Sequence, residues 1–145
     1  MKKILLTFSS IYFLLFVAFF SCKKPACPPP EEPTPFDYLT EDYWKVEKFE
    51  EYINGNLTRL NPGDPDERFV FSPSKDYFYF GYDGSLQDYG TFEFNSGNPS
   101  TIDLYLVNNR FYRLIVDKLT ADTLQYETSF TRSGQSYRWV YYLKR

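Results

Sequence analysis

The chain has no histidine, and only two of its 145 residues are cysteines, Cys22 and Cys27. Without imidazole, Ser-His-Asp and Cys-His nucleophiles and histidine-based metal sites are excluded. Cys27 lies in a proline-rich stretch with no base to activate it, which argues against a catalytic thiol. Basic residues are few and unclustered. Sixteen Lys and Arg stand against nineteen Asp and Glu, for a net charge of −3, so the electrostatic footprint that phosphate binding needs is missing and no nucleic-acid partner is expected. There is no glycine-rich phosphate loop, and Gly81, Gly84 and Gly90 read as hairpin glycines. The only acidic cluster, Asp64, Asp66 and Glu67, lacks the spacing of a calcium loop and is restricted by Pro65, so it reads as a solvated turn. Paired carboxylates fare no better, since Glu50 and Glu51 lie on opposite faces of a strand. No metal, cofactor or reaction class is motivated, and the chain is not read as an enzyme.

Met1-Lys2-Lys3, an apolar run from Ile4 to Phe20, and then Ser21-Cys22 have the form of a secretory signal. Ile4–Phe20 is short for a spanning helix, which needs about 20 apolar residues, and Thr7, Ser9 and Ser10 interrupt it. A cysteine directly after the small residue resembles a bacterial lipoprotein signal. That resemblance implies cleavage after residue 21 and diacylation of the Cys22 thiol. The anchor then supplies the membrane contact, because each buried methylene contributes about 0.8 kcal/mol. Lys23 and Lys24 stand where the retention signal of proteobacterial lipoproteins carries Asp. The expected address is therefore the cell envelope, at the outer membrane of a Gram-negative bacterium. With Cys22 acylated, Cys27 is left over and no internal disulfide is available.

Residues 22–35 carry Pro25, Pro28, Pro29, Pro30, Pro33 and Pro35. Such a stretch favours an extended chain and reads as a spacer reaching up to roughly 40 Å, at about 3.1 Å per residue.

From residue 36 onward, Tyr, Phe, Thr, Val and Ile crowd into short runs separated by Gly, Asn, Asp and Pro. No long stretch has the 3.6-residue period of a helix, apart from a single turn over Pro35–Leu39. Strands are expected at about 43–53, 56–60, 68–71, 75–80, 86–95, 101–107, 110–118, 123–132 and 135–144. Asn54-Gly55 and Ser133-Gly134 read as hairpin turns, and Asn61–Asp66 and Ser96–Ser100 as loops. Alternation puts Ile102, Leu104 and Leu106 on one face, with Leu124, Tyr126, Thr128 and Phe130, and Tyr137, Trp139, Tyr141 and Leu143 on theirs. Nearest-neighbour turns between strands with one apolar face predict an all-β fold. Its form is a single antiparallel up-and-down barrel of about eight strands over residues 36–145, with a short N-terminal helical turn.

Several motifs, taken in order, resemble the lipocalin-like domains of small bacterial lipoproteins. They are Tyr43-Trp44-Lys45-Val46, Asn54-Gly55, Phe69-Val70-Phe71, Tyr82-Asp83-Gly84, Tyr89-Gly90-Thr91-Phe92, Phe111–Ile115 and Leu119–Leu124. Asp42 stands where lipocalins usually carry glycine. The resemblance implies that Trp44 plugs the closed end of the barrel beneath an arginine from a late strand, a role open to both Arg138 and Arg145. It also implies a small hydrophobic or amphipathic ligand held in the barrel. Aromatic residues make up 21% of the chain and concentrate between Lys75 and Tyr89. Tyr77, Tyr79, Tyr82 and Tyr89 are therefore the candidate ligand or partner surface. The alternative to ligand carriage is an envelope interaction module that docks a protein or glycan on these rings.

Overall fold

Apolar residues spaced two apart give each segment of the body one greasy side, and antiparallel pairing lets neighbouring segments bury those sides together. The structure, a computed structural model, describes residues 30–145. The expected signal segment 1–21, the expected acylation site Cys22, Cys27 and most of the expected linker lie outside the described residues. Pro33–Arg145 form one compact unit.

One short helix, α1 (Pro35–Thr40), precedes nine strands. They are β1 (Trp44–Ile53), β2 (Asn56–Pro62), β3 (Arg68–Phe71), β4 (Asp76–Phe80), β5 (Leu86–Asn95), β6 (Asn98–Leu106), β7 (Phe111–Leu119), β8 (Thr123–Arg132) and β9 (Gln135–Lys144). All but β2 pair in chain order into an eight-stranded antiparallel barrel. It is closed by β1 against β9, from Lys45 opposite Lys144 to Ile53 opposite Tyr137. The expected up-and-down barrel with its helical turn is the fold of the chain. Among the described residues no helix is long and apolar enough to cross a membrane.

Strand β2 departs from a simple meander. Since β9 occupies one edge of β1 throughout, β2 and β3 must both use the other edge. β2 takes Lys48–Ile53, and β3 takes Trp44 and Lys45. Between them the chain bulges over residues 63–67. The Gly63 N–H donates to the Glu47 carbonyl (2.9 Å), and the Val46 N–H donates to the Glu67 carbonyl (3.1 Å). Glycine is required at position 63 because a Cβ there would lie 1.6 Å from the Val46 carbonyl oxygen. β4 pairs with β3, ending at Phe80 opposite Arg68, and with β5 on its other edge, but not with β2. The far edge of β2 therefore has no strand partner among the described residues, and the barrel wall is slit beside it.

Two expected loops prove to be strand in part. Asn61 and Pro62 continue β2, and β6 begins at Asn98, leaving only Ser96-Gly97 as the turn. Proline is tolerated near strand ends because few ladder donors are needed there. Gly90, read as a hairpin glycine, lies inside β5. The Asn54-Gly55 turn is as expected, with both residues at positive φ (50° and 82°).

The closed end is built on Trp44, which is fully buried. Its Nε1 donates to the Leu39 carbonyl (2.9 Å) at the end of α1. Helix α1 is held by a capping box in which Thr34 and Asp37 bond each other's backbone N–H. It also packs Phe36 on Phe92 at 6.2 Å between centroids. Of the two candidate arginines, Arg145 lies over the Trp44 ring at 4.3 Å, whereas Arg138 covers Tyr52. The Arg145 guanidinium also bonds Glu41 and the carbonyls of Tyr38 and Ala121, tying the last residue of the barrel to α1 and the β7–β8 turn.

Candidate functional site

At the end opposite Trp44 the side chains do not fill the barrel. A cavity of about 360 Å³ remains, walled by Phe69, Tyr77, Tyr79, Leu104, Leu106, Tyr112, Leu114, Tyr126, Thr128, Trp139 and Tyr141, with Gln87, Asp88 and Arg110 at its rim. Period-two alternation puts each of the wall residues on an inward position of its strand. Below the cavity the core is solid, with Phe71 edge-on to Phe92 at 5.2 Å and Ile102, Leu124 and Leu143 fully buried.

The upper rings pack on one another. Phe69 stacks on Tyr79 at 4.7 Å and meets Tyr141 edge-on at 5.3 Å, while Tyr141 stacks on Tyr126 at 5.2 Å. This aromatic packing fixes the rings and leaves their hydroxyls as the polar features of the chamber. Tyr79 donates to Glu67 Oε1 (2.7 Å). The hydroxyls of Tyr77, Tyr126 and Tyr141 make no hydrogen bond with any described residue, although Tyr77 is 5% and Tyr126 3% exposed. Burial, reinforced by neighbouring phenols, pushes all three well above the ordinary phenol range, so they stay neutral donors and acceptors. Thr128, 4% exposed, lines the same wall with its Oγ1 buried and without a partner. Buried polar atoms without partners are uncommon. Thr128 Oγ1 is such an atom, and it stands on the wall of the void.

A second compartment of about 420 Å³ adjoins the first and shares Tyr79, Trp139 and Tyr141 with it. It lies at the slit, lined also by Phe49, Glu51, Arg59, Asn61, Pro62, Asp64, Glu67 and Tyr82. Glu51 projects inward because it sits two residues from Phe49, and its Oε2 accepts from Trp139 Nε1 (2.8 Å). Arg59 stands opposite Glu51 in the β1–β2 register but forms no ion pair among the described residues. At the rim of the first chamber, Arg110 bonds Asp88. The compartment at the slit thus sets three carboxylates against one guanidinium, and the inner chamber is electrically balanced.

The four candidate tyrosines do not form one surface. Tyr77 and Tyr79 point into the barrel, where they line the cavity. Tyr82 is 74% exposed on the β4–β5 turn, and Tyr89 is exposed on the outer wall. Trp44 lies at the closed end, away from both compartments. Sequence reasoning placed Tyr126, Thr128, Trp139 and Tyr141 on inward faces without marking them as site residues; it set Glu51 and Glu67 aside and missed Arg59. The available signals were a threonine on an otherwise apolar face and a glutamate in phase with Phe49.

Asp64 and Asp66 are engaged in a turn, with the Asp66 N–H donating to Asp64 Oδ1 (3.0 Å). Among the described residues no group of three His, Cys, Asp or Glu side chains is placed to hold a metal ion. No protein-family model matches the chain, and a search of curated proteins finds no significant match.

Proposed function

We propose that this chain is a lipid-anchored envelope protein whose lipocalin-like barrel holds a small amphipathic ligand and performs no catalysis. One observation carries the proposal: a tyrosine-lined chamber of about 360 Å³ at one end of the barrel, on whose wall the buried Thr128 Oγ1 has no partner among the described residues. Small-molecule sites are typically apolar concavities of about 300–1,000 Å³ with a few convergent polar groups, and this chamber meets both conditions. The inward turn of Tyr77 and Tyr79 favours interior binding, since it divides the four candidate tyrosines between the chamber, the slit and the outer wall.

The anchor and the address rest on Lys2-Lys3, the apolar run and Ser21-Cys22. The proline-rich segment then serves as a spacer between the acylated Cys22 and the barrel. At the outer membrane such a protein carries or buffers its ligand beside the bilayer, and the lipid is its only membrane contact.

Two experiments test the parts separately. Native mass spectrometry of protein taken from its own cells should show a non-covalent adduct that organic extraction removes. An adduct-free protein that also fails to take up any amphiphile of six to ten carbons would refute ligand carriage. Growth with labelled palmitate should label the chain, and Cys22→Ala should abolish the label. Label that survives the substitution would refute the anchor at Cys22.

A further inference from the structure

We infer that the ligand is an organic cation, an amphiphile whose ammonium head sits at the slit and whose apolar body enters the tyrosine chamber. This rests on the binding reading above and assigns its ligand class. The compartment at the slit has the chemistry that ammonium recognition calls for. Its walls include the rings of Phe49, Tyr79, Trp139 and Tyr141, and aromatic faces attract cations within about 6 Å of their centroids.

Glu51 and Glu67 stand among those rings, and each is fixed by an aromatic donor, Trp139 Nε1 at 2.8 Å and the Tyr79 hydroxyl at 2.7 Å. Each of these bonds uses one carboxylate oxygen, which orients the group without neutralising it. Neither glutamate belongs to an ion pair among the described residues. Asp64 adds a third negative charge and Arg59 offsets one, so the compartment keeps an excess of two carboxylates. Among the described residues that line either compartment, the only other charges, Asp88 and Arg110, bond each other.

An anionic head, such as a carboxylate, would enter against that excess. A neutral head would gain nothing from it. The acidic groups are not the sole evidence for a ligand here. The adjoining chamber shares three of the same residues and carries the buried, unpartnered Thr128 Oγ1 on a wall that Tyr77 and Tyr126 also line. Thr128 Oγ1 satisfies a second polar atom on the ligand body, such as a hydroxyl or an amide.

Octylammonium, octanol and octanoate share a tail and differ only in head charge. Calorimetric titration of each into the full chain carrying Cys22→Ala, which keeps acyl groups out of the assay, separates the possibilities. Octylammonium should bind roughly 10-fold tighter than octanol, with octanoate weakest. Glu51→Gln/Glu67→Gln keeps an acceptor oxygen for Trp139 and Tyr79 while removing the charge. It should lower octylammonium affinity by about the same factor and leave octanol unchanged. Equal binding of all three, or tightest binding of octanoate through Arg59, would overturn the cation assignment and leave ligand carriage standing. Binding of none would remove both.

Discussion

Single residues at the two ends of this barrel have opposite fates. Trp44 is surrounded on every side by α1, the Arg145 guanidinium and the core, so truncation would leave a large void with an unpaired Leu39 carbonyl. Trp44→Ala should cost about 3–5 kcal/mol in urea unfolding. On the outer wall, Asp103 is an aspartate buried by its partner. Arg113 bonds it through two nitrogens at 2.7 and 3.0 Å, and Asn95 donates from the adjacent strand. The hydrogen bonds from Arg113 hold its carboxyl below the usual value of 3.8. A depressed folded pKa contributes stability that is present above the unfolded value and lost as pH falls through the folded one. Urea midpoints measured from pH 5 to pH 2 should therefore fall less steeply for Asp103→Asn than for the unaltered protein. Parallel slopes would remove this pair from the acid response. The sequence marked Asp103 as outward-facing, and its direction is right. Its burial was not legible, because it depends on which residue a neighbouring strand brings alongside.

At the scale of elements, alternation carried most of the information. β7, β8 and β9 lie within one residue of their expected limits because their apolar faces are uninterrupted and their turns are short. Errors gather where proline was read as loop, at Asn61-Pro62 and at Pro99. A loop between β2 and β3 was legible, but its form, a bulge that leaves both strands on one edge of β1, was not. It depends on Gly63 meeting the Val46 carbonyl, a contact that only the folded register creates. That bulge opens the slit, so the acidic compartment was equally hidden. Gly63→Ala places a methyl against backbone that cannot yield, and it should destabilise the protein by about 1–3 kcal/mol. Hydrogen exchange should quicken for β2 amides while β8 and β9 stay protected. Uniform quickening would mean that the bulge is not a local device.

The whole molecule divides along its axis into a packed lower half and a hollow, tyrosine-lined upper half. Neutral phenols are part of the upper half's stability. Burial raises the folded pKa of Tyr77, Tyr126 and Tyr141 above the ordinary 10.0, so their contribution is fully present below that value and is lost as pH rises from it through the raised folded values. In an alkaline titration at 295 nm, part of the tyrosine signal should appear only as the β-sheet circular dichroism collapses. A tyrosine signal completed before that collapse would show the three rings to be open to water. The two tryptophans report on the two halves separately. Trp139 borders both compartments, and Trp44 lies at the closed end. The most direct test of ligand carriage is therefore to follow both indole N–H signals by NMR while octanol is titrated into the full chain carrying Cys22→Ala. A saturable shift at Trp139 with Trp44 unmoved is the expected result. No saturable shift at Trp139 would contradict a ligand site in the barrel.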